Sequence, residues 1–383
     1  MRVSLARRLR LLRTAAFLSA FDRFTVAPML VTIAAGLGVS LDEVAVAASA
    51  YFLLYGVMQP LWGALSDRLG RVRVMRIALI GVLVPGLLSA LAPNLMLLVV
   101  GRALAGGLFA AIVPASLVYI GDTVPIEERQ RALSDQLATS AIATALATAA
   151  AGLAAYLDLW RLAFAAPVVV AFVLGVWFSR LPEPEREDED GGVLAKVSIF
   201  LRSRWALLVV TLALVEGGVI LGFLTFLAPA LEDAGYDPAV AGTAVALFGV
   251  ATLVWTRAIG PLGQRFGKSG LILAGGILMT LGYGTGAVSG GLPGISLAAF
   301  LVGGGFALMH PTLQNWATEV APAARATVIS SFAAALFVGS AVATMAAAPL
   351  AESGSFTLLF ALAAATGVPL GIFGSLTRRR YTR

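Results

Sequence analysis

Four ionisable side chains stand within otherwise apolar stretches: Asp22, Arg102, Glu216 and His310. A charge near the centre of a bilayer costs at least ~2.5 kcal/mol on insertion scales, so each is a candidate for function. Asp22 lies nine residues into an apolar segment beginning at residue 13, about 13 Å deep at ~1.5 Å per residue. It shares one helical face with Leu18, Thr25 and Met29. Glu216 lies eleven residues into the segment beginning at residue 205, about 16 Å deep. A carboxyl withdrawn from water favours its neutral form, so reversible protonation is the chemistry expected of both. Arg102 keeps its charge, and can hold a carboxylate ionised or bind an anionic substrate. His310 is the sole histidine and precedes Pro311; its type suits a pH switch. Each residue also has a plainer role. Asp22 and Arg102 can form a structural salt bridge, with Arg23 as a competing partner for Asp22. Glu216 can be a protonated packing residue, and His310 a satisfied, dispensable side chain in the cytoplasmic third.

A second group lies between apolar segments. Residues 63–71 read Gly63-Ala-Leu-Ser-Asp67-Arg68-Leu-Gly70-Arg71, and residues 260–268 repeat the pattern as Gly-Pro-Leu-Gly-Gln-Arg-Phe-Gly-Lys, 197 positions later. The same offset pairs Gly107 with Gly304, Phe109 with Phe306, Pro114 with Pro311, Asp122 with Glu319 and Pro125 with Pro322. One register held that long means a doubled unit. Gly63 and Gly70 are expected to let helix ends meet closely. Asp67 can cap a helix or pair with a cation, and Arg68 and Arg71 can pair with Asp122. Such a cluster is a conformational latch or a simple anchor for the loop. Two of the differences between the copies involve charge, Asp67 against Gln264 and Arg102 against Ala299.

The elements that must position these groups follow from composition. Apolar residues make up 59% of the 383, charged residues only 13%, and the mean hydropathy is +0.91, the profile of an integral membrane protein. A crossing helix needs ~20 apolar residues. Twelve such segments occur, near 13–36, 43–65, 74–91, 95–118, 131–155, 160–180, 205–230, 238–260, 269–289, 292–317, 326–349 and 355–376. The first six map onto the last six, giving an all-α membrane protein of two pseudo-symmetric six-helix halves. The long unalternating runs argue against a β-barrel. The expected division is an N-terminal half at 1–180, a cytoplasmic linker at 181–204 and a C-terminal half at 205–383. The acidic run that opens the linker reads as a solvated tether, and residues 193–200 as a short surface helix. The alanine-rich stretch 138–155, and Gly282, Gly286 and Gly290, read as packing surfaces for close helix approach.

Net charge +6 does not point to nucleic acid, because the basic residues follow topology. Arg7, Arg8, Arg10, Arg13, Arg68, Arg71, Arg129, Lys268, Arg325 and Arg378 fall on one side of the segments, and Arg161 alone on the other. The positive-inside rule then puts both termini in the cytoplasm of a plasma-membrane protein. The arginine-rich N-terminus is expected to be retained as part of the first span. There is no cysteine, and neither a metal-ligand cluster nor a cofactor motif is recognisable. The run 263–269 approaches a phosphate-binding loop but has three residues between its glycines where four are needed. An enzyme is therefore not expected, and neither is a cofactor.

The loop at 63–71 with its second copy resembles the signature loop of the major facilitator superfamily. Arg102-Ala-Leu-Ala-Gly106-Gly107 resembles that family's helix-4 pattern, and Asp122 with residues 125–129 the loop after it. Phe21-Asp-Arg-Phe-Thr-Val-Ala-Pro28 and His310-Pro-Thr-Leu-Gln314 are similar to its twelve-helix drug:proton antiporter and metabolite exporter branch. Antiporters of that branch carry Gly-Pro and then Gly-Gly in helix 5, where this chain has Ala147-Thr148 and Ala151-Gly152. The resemblance implies a monomeric, proton-coupled exporter of small amphipathic or cationic compounds, with the loop cluster steadying one conformation. A lipid, siderophore, sugar or other metabolite carrier, working as symporter or uniporter, is the alternative. A non-transporting membrane scaffold would not need Asp22 and Glu216 in the membrane. Aromatics such as Phe24, Tyr51, Phe52 and Tyr55 are candidates for a cavity lining, though most aromatics are simply packing.

Overall fold

The computed structural model describes residues 4–184 and 193–381, and its regular structure is helical, with no strand among the described residues. Twelve helical spans are long and apolar enough to cross a bilayer: α1 Leu5–Leu37, α2 Leu41–Leu69, α3 Arg71–Ala90, α4 Leu95–Thr123, α5 Ile126–Tyr156, α6 Trp160–Phe178, α7 Arg204–Asp233, α8 Pro238–Thr256, α9 Ile259–Val288, α10 Leu292–Glu319, α11 Pro322–Glu352 and α12 Phe356–Arg380. In hydrocarbon a span must satisfy its backbone internally, which is why apolar segments of this length become helices. An even number of crossings puts both termini on one face, called here the terminal face; the opposite face is the distal one.

Sequence-readable signals set several ends. Ser40 and Glu43 form a capping box at the start of α2, and the Asn94 side chain accepts from the Leu97 N–H at 3.0 Å to start α4. Gly70 (φ 106°) and Gly267 (φ 68°) occupy the left-handed region at equivalent places in the two copies. That backbone is open to glycine at no steric cost. Gly267 kinks α9, so the helical run begins at Ile259, ten residues before the expected start. α1 begins at Leu5, eight residues before the apolar run, because arginines outside the hydrocarbon are as compatible with a helix as leucines are.

Both α1 and α7 are interrupted near their middles. In α1 the helix stops at Phe24, a 3₁₀ turn covers Ala27–Met29, and helix resumes at Leu30. Pro28 supplies no N–H, so the ladder cannot run through. In α7 a π turn at Gly218–Gly222 and a 3₁₀ turn at Phe223–Phe226 separate Arg204–Gly217 from Leu227–Asp233. Each interruption comes directly after a buried acid, Asp22 or Glu216.

The halves meet along two seams. α5 and α8 touch backbone to backbone, and a Cβ on Gly152 would lie 2.8 Å from the Gly242 Cα. α2 and α11 are joined by Ser49 Oγ donating to the Ala341 carbonyl at 2.9 Å, and at the distal face by the Leu41 N–H donating to Glu352 at 2.7 Å. The small residues of α5 thus serve packing. Gly282 does the same against the Ala298 carbonyl, whereas nothing lies within 4 Å of a Cβ on Gly290. Past α6, Val193–Arg202 forms the short helix expected in the linker. Most of the acidic run falls at 185–192, outside the described residues.

Candidate functional site

Asp22 and Arg102 form the centre of the N-terminal half. Both side chains are wholly buried. The guanidinium straddles the carboxylate, Nη1 to Oδ1 at 3.1 Å and Nη2 to Oδ2 at 3.0 Å, and Nη2 also donates to the Asp22 carbonyl at 3.0 Å. The α1 interruption supplies that last acceptor. With the helical ladder ended at Phe24, the Asp22 carbonyl serves Arg102 and the Thr25 hydroxyl, which donates to it at 2.8 Å. Rings sandwich the cation, Tyr51 at 4.6 Å and Phe164 at 4.7 Å from the guanidinium carbon. Gly106 brings α4 against α2, since a Cβ there would lie 2.5 Å from the Tyr51 carbonyl. The fork geometry and the extra acceptor are what make a buried ion pair tolerable.

The C-terminal half is built differently at its centre. Glu216 is wholly buried and its Oε2 lies 3.2 Å from His310 Nδ1, while Oε1 has no hydrogen-bond partner among the described residues. The imidazole stacks on Phe306 (ring centres 4.8 Å apart) and leans on Phe332 (5.6 Å). α7 approaches α11 so closely that a Cβ on Gly217 would collide with the Leu336 carbonyl, and one on Gly339 with that of Leu214. His310 therefore has a definite partner, which the sequence did not assign to it. The two acids pair within their own halves and not with each other across the pseudo-twofold axis.

Where the α1 and α7 interruptions face one another lies a narrow crevice of about 20 Å³, room for roughly one water. Its walls include Arg23, Phe24, Tyr51, Phe52 and Thr148 from one half and Leu221, Leu224, Thr225 and Val245 from the other. Arg23 does not compete for Asp22. It points to Tyr55, donating from Nη2 to the hydroxyl at 2.7 Å, and lies 4.5 Å from the Tyr55 ring centre and 4.9 Å from that of Phe337. The i, i+1 spacing of Asp22 and Arg23 accounts for this, because adjacent residues on a helix face different ways; what the sequence did not supply was Tyr55 as the partner.

At the terminal face the 63–71 cluster assembles in part as expected. Arg71 binds Asp67 at 2.6 Å and Asp122 at 3.6 Å. Asp67 caps no neighbouring helix. The first N–H groups of α3 are met by Glu183, which accepts from Val72 at 3.1 Å and Arg73 at 3.2 Å. An anion at a helix N-terminus is favoured by the helix dipole. Gly63 does not mediate a close approach, since nothing lies within 4 Å of a Cβ placed there; its neighbourhood is open, and Gly70 alone meets a backbone demand. Arg68 has an interaction partner at this face. In the second copy Lys268 binds Glu319 at 2.6 Å, matching Arg71 with Asp122, and Arg378 adds a further contact to Glu319 at 2.8 Å.

The sequence profile described as Major Facilitator Superfamily matches residues 14–253 and 222–383. A triacylglyceride transporter of Mycolicibacterium smegmatis is 28% identical over 198 residues, covering 49% of this chain and 35% of that protein. The class C tetracycline resistance protein of Escherichia coli is 28% identical over 256 residues, 63% of this chain and 64% of that one. Multidrug resistance protein MdtG of Citrobacter koseri is 30% identical over 243 residues, covering 60% and 58%. The chain spans about a third to a half of the length of the triacylglyceride transporters it matches. In fold it resembles the nucleoside transporter NupG (TM-score 0.78, 14% identity, 98% of this chain and 99% of that one). It likewise resembles a bacterial homologue of the human lysosomal transporter Spinster in an inward-facing, unoccupied conformation (TM-score 0.78, 16% identity, 97% and 96%). With twelve spans in two related halves, a repeated loop between the second and third span of each, and that profile matched along nearly its whole length, this integral membrane protein belongs to the Major Facilitator Superfamily.

Proposed function

We propose that this chain is a secondary active transporter, monomeric in the plasma membrane with both termini cytoplasmic. In this reading it exports an amphipathic compound by alternating access of residues 1–180 against residues 205–383, joined by the linker at 181–204, with proton movement as the driving step. The Glu216–His310 pair carries the reading. A carboxylate beside an imidazole can gain or lose a proton without stranding a fixed cation, and histidine is the side chain whose ordinary charge change falls in the physiological range. The pair sits directly before the α7 interruption, where a change of charge can alter the path of the helix. Arg102, by contrast, keeps its proton. Asp22 then has the role of a fixed counter-ion that ties α1 to α4. The Arg71 cluster is read as a latch on one conformation, with Gly63, Asp67, Arg68, Gly70 and Asp122 around it.

Purified protein in proteoliposomes with an imposed pH gradient tests this. Cargo should accumulate against its own gradient in the wild type. Glu216→Gln and His310→Gln should each cut gradient-driven accumulation by about tenfold or more, within the range of removing a group that moves a proton. Substrate exchange at equal pH should survive. Movement of cargo only down its own gradient, unchanged by an uncoupler, would sink the coupled reading and favour a uniporting lipid or metabolite carrier. That second reading draws support from the largely apolar crevice walls and from relatives named as triacylglyceride transporters.

A further inference from the structure

We infer that the crevice between the α1 and α7 interruptions is a receptor for the anionic headgroup, a carboxylate or phosphate, of an amphipathic cargo, with Arg23 as its cation. The inference rests on the transport reading for the route by which the cargo leaves, but not for its recognition.

The electrostatics argue first. Asp22 and Arg102 cancel one another in a closed fork, and Glu216 is held by His310 in the other half. Arg23 is left with a hydroxyl and two ring faces as its contacts, and with no carboxylate among the described residues. Its Nε is buried without a hydrogen-bond partner among the described residues. A cation at this depth is costly, and a tyrosine hydroxyl with aromatic faces compensates it only in part. The unfilled demand is for an acceptor of negative charge, and a guanidinium fork suits a carboxylate or phosphate above other groups.

The walls argue second. Tyr51 reaches the crevice and is 1% exposed, yet its hydroxyl has no hydrogen-bond partner among the described residues. A buried, unmatched donor of this kind carries a penalty of about 1–3 kcal/mol until something accepts from it. Thr148 and Thr225 add hydroxyls, and Phe24, Leu221 and Leu224 supply apolar surface beyond the polar spot. One cation, an unmatched donor and an apolar rim together describe a site for a charged head on a hydrocarbon body. A cationic cargo would meet Arg23 with no carboxylate among the residues lining the crevice to offset it, which counts against the cationic class expected from sequence.

Wall residues come from both halves, and Phe337, which covers Arg23, belongs to α11. Parting of the halves would therefore uncover the guanidinium and widen the crevice in one movement.

The test uses purified full-length protein in an uncharged detergent and four decyl-chain probes: decanoate, decyl phosphate, decyltrimethylammonium and decyl maltoside. At least one anionic probe should bind about tenfold tighter than the cationic one, a difference equivalent to about 1.4 kcal/mol, and the two anionic arms separate carboxylate from phosphate. Arg23→Gln should abolish the preference. Arg23→Lys should keep the sign but weaken it about threefold, because an ammonium lacks the fork. A wild-type preference for the cation, or an anion preference unchanged in both variants, would overturn the inference. Should Arg23→Gln fail to fold, Arg23→Lys and Tyr51→Phe decide it, and both binding like the wild type would refute it. Proteoliposome transport is scored separately, so loss of proton coupling with intact anion binding counts against the transport reading alone.

Discussion

The two halves share a register of 197 residues and agree at the membrane face while diverging at its centre. Arg71 with Asp122 and Lys268 with Glu319 are the same contact made twice. Asp22 with Arg102 and Glu216 with His310 are not: by the repeat offset Glu216 corresponds to Ser19, Arg102 to Ala299 and His310 to Val113. Each half has arrived at a buried acid before an interrupted helix, from different positions and with a different partner. One partner is a guanidinium, whose charge is fixed, the other an imidazole, a side-chain type that exists in both neutral and charged forms. Duplication thus fixed the scaffold, and the charge chemistry was placed on it separately in each half.

The largest expected effect breaks the fixed pair. Arg102→Leu leaves the Asp22 carboxylate buried with no cation, and removal of one partner of a buried pair costs about 3–5 kcal/mol. Thermal unfolding in detergent should show the largest drop of any variant named here, with partial recovery in the double variant with Asp22→Asn. Equal behaviour of single and double variants would mean that the pair is not coupled. His310→Gln should be far milder in the same assay, since a glutamine amide can still donate a hydrogen bond to the Glu216 carboxyl.

Much of this contrast was legible in the sequence. Asp22, Arg102 and Glu216 stood out because charge is rare in apolar runs, and the Asp22–Arg102 bridge was one of the alternatives the sequence left open. The twelve spans were legible for the same reason that they form, since hydrocarbon admits little else. Contacts between distant segments were not. Glu216 and His310 are 94 residues apart, Glu183 lies 110 residues or more from the N–H groups that it caps, and nothing local marks either meeting. Gly63 and Gly70 looked alike as letters, but only Gly70 has a backbone angle that demands glycine. Arg23 and Asp22 face different ways because they are adjacent, but nothing local marked Tyr55, 32 residues on, as the partner of Arg23.

A second comparison concerns how closely the interrupted helices pack. Gly217 touches the α11 backbone, whereas the equivalent place in α1 holds Ala20. Gly217→Ala should force α7 and α11 apart at a cost of about 1–3 kcal/mol, typical of overpacking. Transport should fall more steeply than stability, because the α7 interruption begins at the next residue. A variant with wild-type melting and wild-type transport would show that this close contact is incidental.

The smallest effects separate the two terminal-face clusters. The Glu319 side chain is only 8% exposed and accepts from two cations, whereas that of Asp122 is 37% exposed and lies 3.6 Å from one. Glu319→Gln should therefore cost about 1.5–3 kcal/mol, the range for hydrogen bonds to charged groups. Asp122→Asn should cost about 0.2–1 kcal/mol, as exposed pairs do, and that difference should shrink further in high salt. If Arg71 and its acids act as a conformational latch, Asp122→Asn should nonetheless change transport rate or sidedness while leaving melting nearly untouched. Glu319→Gln should lower melting and transport together. Were Asp122→Asn silent in both assays, the first cluster would be an anchor of the same kind as the second, and the asymmetry between the halves would be confined to the membrane interior.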